Sequence, residues 1–167
     1  MNNSFFADSD DIIKTLQKLL NGASAGDKAK FVGFVSVCAV TKYELGIKKI
    51  INGYADSKHV EFGIFVSKYL SRLNGRINLG DLRGLLKDYF DAQCIKKFDI
   101  ELEKIEKNIL QKKKLSVGAS YKNLILCRHN YVHSDILTLS FQESIQDYNL
   151  GKYVIKALSR AMHVSYN

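Results

Sequence analysis

The sequence contains no proline, where about eight would be ordinary for a chain of 167 residues, so nothing in it forces a kink or a stop on a helix. Long helices are the default expectation. Its three cysteines, Cys38, Cys94 and Cys127, lie far apart among apolar residues and form no Cys-x-x-Cys pair. They read as buried thiols of a reducing compartment. A long hydrophobic run is also missing: the longest apolar window, Phe31 to Val40, contains Gly33 and Ser36 and covers half of the ~20 residues that a bilayer-spanning helix needs. Near the start, Asp8, Asp10 and Asp11 stand where a signal peptide needs a basic and then an apolar stretch. These absences predict a cytoplasmic protein with no membrane partner. Alternating runs joined by Asn-Gly or Asp-Gly hairpins are essentially absent, which argues against all-β and α/β folds. Gly75, Gly80 and Gly84 are isolated and make no phosphate loop, and neither a Gly-x-Ser-x-Gly elbow nor a Cys-His protease signature occurs.

What the chain does have is apolar substance and positive charge. With 46% hydrophobic and 25% charged residues it suffices for one domain, residues 1–167. Lys and Arg number 25 against 17 Asp and Glu, a formal charge of +8, which favours polyanionic partners such as nucleic acid. Apolar spacing of three and four predicts a helix from Ser9 to Asn21, carrying Ile12, Leu16 and Leu19 or Leu20, with Gly22 as its stop. A longer central helix is predicted from Asp27 to Tyr54, a third from His59 to Leu73 followed by an Asn74-Gly75 turn, and a fourth from Leu79 to Phe90. From Ala92 to Lys114, Ile95, Phe98, Leu102, Ile105 and Ile109 form one apolar stripe between charged residues. Ser120 is a candidate cap for a helix from Tyr121 to His133. Ser140-Phe-Gln-Glu143 matches a capping box and opens a terminal helical region that Asn149 and Gly151 are expected to interrupt. The sum is an all-α, up-and-down bundle of about six or seven helices.

The segment Leu124-Ile-Leu-Cys-Arg128-His129-Asn130-Tyr131-Val-His133 differs from every other helix. It packs one arginine and two of the chain's four histidines into six residues, behind an apolar start that anchors one face. Histidine titrates nearest neutral pH, and arginine presents a permanently charged fork matched to phosphate oxygens. His129 and His133 also have the i, i+4 spacing of a metal pair, but no Glu sits between them and no third ligand has a recognisable spacing, so no metal and no other cofactor is expected.

In these residues the chain resembles the HEPN superfamily, whose nucleases carry Arg, four to six residues, then His near the start of a late helix, commonly with a polar residue directly after the Arg. Arg128-His129-Asn-Tyr-Val-His133 satisfies that pattern. The segment FVSVCAVTKYELGIKKII, with its Tyr43-Glu44 pair, is similar to the early core helix of the RiboL-PSP and MAE-type branches, and FQESIQDYNLGKYVIKAL resembles the last helix. The resemblance implies a HEPN-like fold and a metal-independent endoribonuclease acting as a homodimer, in which two Arg-His motifs meet across a twofold axis. Cleavage would use the 2′-OH of RNA as nucleophile and leave a 2′,3′-cyclic phosphate. Such chemistry needs a base, an acid and a cation beside the phosphate. Helix geometry sets Arg128 and His133 about 140° apart around the axis, so one helix alone makes a poor site and a second copy supplies the missing half.

The expected roles are His133 for proton transfer, Arg128 as phosphate clamp, and His129, Asn130 and Glu44 in support. Lys112, Lys113 and Lys114 are candidates for flanking phosphates, and Tyr131, with Tyr121 and Tyr148, for stacking on bases, against the plainer alternatives of a solvated face and of core packing. An antitoxin or another defence-system partner is implied by the same resemblance. HEPN toxins controlled by nucleotidyltransferase partners usually have Tyr two residues after the His, where this chain has Asp135. The alternative is a catalytically silent HEPN-like module that binds nucleotide, RNA or protein.

Overall fold

The boundaries of the helices follow their caps. The computed structural model describes residues 5–72, 75 and 77–164, and among them there is helix and no strand. The elements are α1 (Ala7–Leu19), α2 (Ala25–Ala29), α3 (Val32–Lys58), α4 (Val60–Leu70), α5 (Leu79–Tyr89), α6 (Ala92–Lys113), α7 (Val117–Ser134) and α8 (Phe141–Met162). Side chains of Ser24, His59, Asn78, Asp91, Ser116 and Ser140 accept hydrogen bonds from backbone N–H groups of the first turn of α2 and α4 to α8. At Ser140 the predicted capping box is complete, with Glu143 bonded back to the Ser140 N–H.

The all-α bundle is as expected, with several local differences. The predicted Asp27–Tyr54 helix is two: Ser24 starts the short α2, and α3 begins anew at Val32 and runs on to Lys58. There the extended His59 both closes α3, through its N–H to Ala55, and caps α4. On α1, Leu16 packs on the core and Leu20 is buried as expected, while Ile13 rather than Ile12 faces inward and Leu19 is exposed. Ser9 fixes this rotation by bonding the Tyr148 hydroxyl at 2.7 Å. On α4, Val66 and Leu70 face inward while Phe65 is exposed. The predicted end of that helix at Leu73 and the Asn74 half of the turn lie outside the described residues; Gly75 has the left-handed φ of +77° that a turn glycine supplies without strain.

α7 begins four residues before the expected Tyr121, because Ser116 is its cap and the Glu106 carboxylate of α6 accepts from the N–H groups of Val117 and Gly118 at 2.8 and 3.1 Å. Ser120 is buried instead. Asn149 and Gly151 do not interrupt α8. The Asn149 side chain bonds the Ile145 carbonyl one turn back, and Gly151 leaves the room that the Tyr43 hydroxyl occupies.

α8 packs on α3, α6 and α7, and α7 packs on α3. At their centre the rings of Tyr121, Tyr43 and Tyr148 stack in a row, with centroids 5.3 and 6.2 Å apart. Their hydroxyls are satisfied: Tyr43 donates to the Tyr148 carbonyl and Tyr121 to the Ile77 carbonyl, both at 2.6 Å, while Tyr148 donates to Asp10 at 2.8 Å. Lys152 pairs with the same Asp10, tying α8 to α1. Cys94 and Cys127 are buried and Cys38 partly so, all as free thiols.

Candidate active site

The rotation of α7 decides which of its polar residues reach solvent. Val117, Ser120, Tyr121, Leu124 and Cys127 are buried at helical spacing, and this stripe anchors the helix on α3 and α8. Arg128 and Asn130, at the edge of the stripe, are half-buried, and His129 and His133 are exposed on the outer side. The two histidine rings face each other with centroids 4.6 Å apart. α7 ends directly after them: Asp135 adopts a left-handed φ of +53°, and the N–H groups of Asp135 and Ile136 bond the Tyr131 and Asn130 carbonyls. Asp is among the non-glycine residues that adopt that conformation most readily. Asp135 thus has a structural task at the position where the HEPN toxins usually carry Tyr.

Arg128 and Glu44 border the same turn of chain. One Glu44 oxygen accepts from the Gly75 N–H at 3.1 Å while the other pairs with Lys48 at 2.7 Å. A Cβ placed on Gly75 would lie 3.8 Å from an Arg128 guanidinium nitrogen. Among the described residues the Arg128 side chain has no hydrogen bond or ion pair, so its charge is available. It opens on a cleft of about 470 Å³ between Val40 of α3, the Gly75 turn with the first residues of α5, and the middle of α7. His129 lines the same cleft, and His133, one turn further along the same face, does not.

The other sequence candidates are less well gathered. Lys112 and Lys113 end α6, and Lys114 is its left-handed cap. They stand at the N-terminal end of α7, and the stretch from Val117 to Arg128 measures about 17 Å along the axis. Within one chain these lysines are therefore not contiguous with the Arg-His segment; Lys113 borders a separate groove with Asp10, Gln146 and Lys152. Tyr131 is half-buried, its ring seated where Gly33 of α3 has no side chain. Tyr121 and Tyr148 belong to the core. Among the described residues no three His, Cys, Asp or Glu side chains converge as a metal site.

Lys122, which lines the cleft with Ile125 and Leu126, is not among the residues singled out from sequence. The signal was present: Lys122, Leu126, His129 and His133 step by four, three and four, one continuous face of a helix. No family model, curated protein or solved structure matches the chain, so its geometry carries the functional interpretation. No described helix is long and apolar enough to cross a membrane.

Proposed function

We propose that the protein is a metal-independent endoribonuclease, active as a homodimer whose site is assembled from the α7 segments of two copies, in a toxin or antiphage setting. The observation that carries it is a half-buried Arg128, without a hydrogen bond or ion pair among the described residues, opening on a cleft beside His129, with His133 one turn further along the exposed face. Arg128 is the phosphate clamp and stabilises charge growing on phosphorus; His133 transfers protons between the 2′-OH and the leaving 5′-oxygen. His129, whose ring lies tilted against that of His133, and Asn130 support that geometry, and Glu44 holds the Gly75 turn beside Arg128. Leu126, Val132 and Ile136 are exposed around the histidines, apolar surface of the kind that a second copy covers on a twofold axis. The biological setting and a restraining antitoxin rest on the resemblance of the Arg128 to His133 motif to HEPN nucleases.

A binding module without catalysis is the second interpretation, favoured by the fact that Arg128 and His129 line the cleft and His133 does not. Incubation with RNA in EDTA separates the two. Wild-type protein should cut RNA to 2′,3′-cyclic phosphate ends, and Arg128→Ala and His133→Ala should each lose about 10²–10⁴-fold in rate. Cleavage that survives equally in both variants, or that requires a divalent metal, would refute the mechanism, while RNA binding without cleavage would establish the module.

A further inference from the structure

We infer that the cleft beside Arg128 is a nucleotide subsite, which holds the base of the nucleotide whose phosphate Arg128 and His129 engage and so selects where along an RNA strand the site acts. The inference rests on Arg128 being a phosphate ligand, as in the proposed function, and adds what sits next to it. Two permanently basic side chains line the cleft, Lys122 and Arg128, with the His129 imidazole beside Arg128. Lys122 and Arg128 are six positions apart on α7, about 9 Å along the axis and about 120° around it, and both reach the cleft. Between them the walls are apolar, formed by Val40, Leu79 and Ile125 from three different helices.

Among the described residues that line the cleft there is no Asp or Glu. Among the described residues, neither the Lys122 nor the Arg128 side chain has a hydrogen bond or ion pair. An apolar body with two anionic groups is what this surface complements, and a nucleoside flanked by two phosphates has that form. Its volume of about 470 Å³ falls within the ordinary range for small-molecule sites, about 300–1,000 Å³. The Asn78 amide is already committed to Asp81, both accepting its N–H and donating to its carboxylate. The N–H groups of Leu79 and Gly80, first in α5 and without helical acceptors, are further donors for a base edge.

The test is direct titration of the full chain, in EDTA, with the four nucleoside 3′-monophosphates, a nucleoside 3′,5′-bisphosphate and ribose 5-phosphate, followed by calorimetry. The nucleotides should bind at one site at least tenfold more tightly than ribose 5-phosphate. A Cβ on Gly118 would meet Leu79 at 3.7 Å, an ordinary contact, so Gly118→Leu extends a side chain along the cleft wall and should abolish the advantage conferred by the base. Leu79→Ala, at a half-buried position of the cleft wall, should reduce it severalfold. Lys122→Ala should weaken the bisphosphate severalfold and leave the 3′-monophosphates unchanged. Equal affinity for ribose 5-phosphate and nucleotides, or nucleotide binding unaltered in both Gly118→Leu and Leu79→Ala, overturns the subsite. Base-dependent binding that Gly118→Leu removes, in a protein that cuts no RNA, upholds the subsite and ends the nuclease proposal. Cleavage at unchanged positions in a folded Gly118→Leu does the reverse.

Discussion

Tyr131 reaches its place because Gly33 has no side chain; a methyl group there would fall within the ring. Gly33→Ala should therefore destabilise the fold by about 1–3 kcal/mol, the usual range for overpacking, and shift the end of α7 that carries His129 and His133. Urea unfolding read by circular dichroism measures the first effect and the histidine NMR resonances the second. Asp147 offers a prediction of opposite direction. Burial raises the pKa of its carboxyl, outweighing hydrogen bonds with Ser120 and Asn123 that act to lower it. The folded protein thus holds a proton there at pH values just above the ordinary 3.8, where the unfolded chain has released it, and stability falls as pH rises through that interval. Asp147→Asn should melt higher than wild type at neutral pH, and the gap should close as the pH is lowered toward the carboxylate range. A constant gap across that range would contradict it. Residue identity made the Arg128 to His133 cluster visible in the sequence, since few other residue types serve phosphate chemistry. Whether Tyr131 stacks on a base or packs on a glycine depends on what lies 98 positions away in the chain, and local pattern does not report it.

Among the elements, α7 has the most to lose from its start. Its first N–H groups are held by Ser116 and, from the neighbouring helix, by Glu106. Ser116→Ala should reduce stability by about 1 kcal/mol, and Glu106→Ala by about 1.5–3 kcal/mol, because it removes a charged acceptor shared by two amides. Thermal denaturation of both variants checks the order. Caps within one segment were legible, as Ser140 and Glu143 show, and so was the stripe of α6 from Phe98 to Ile109. Ser120 was mistaken for the cap because the deciding partner, Glu106, lies in another helix. Asn149 and Gly151 looked like breakers by propensity, and tertiary contacts overrode them: an intrahelical bond for one, the Tyr43 hydroxyl for the other.

For the whole molecule, the charge of +8 and the exposed α7 face lead to measurements on the intact protein. Light scattering or sedimentation should find a dimer at working concentration, and Leu126→Glu should shift it toward monomer with loss of cleavage; a wild-type protein that is strictly monomeric while cutting RNA would rule out a composite site. The bundle itself was readable because helical periodicity is local. The cleft was not, since Val40, Leu79 and Ile125 converge only once α3, α5 and α7 are packed, and Lys112 to Lys114 seemed near Arg128 in sequence but stand about 17 Å or more away along α7.

The stacked tyrosines at the centre also give the protein an optical reporter of its own. Burial, reinforced by neighbouring phenols for Tyr43 and by Asp10 for Tyr148, lifts the ionisation of Tyr43, Tyr121 and Tyr148 above the usual value of 10.0. The folded chain keeps those three protons where the unfolded chain gives them up, so stability declines as pH climbs past 10. With no tryptophan to mask the signal, an alkaline titration followed in the ultraviolet should show surface phenols ionising first and the buried trio only as the bundle opens. The phenolate absorbance of that second step is then a label-free clock for global unfolding, built into the same residues that hold α3, α7 and α8 together.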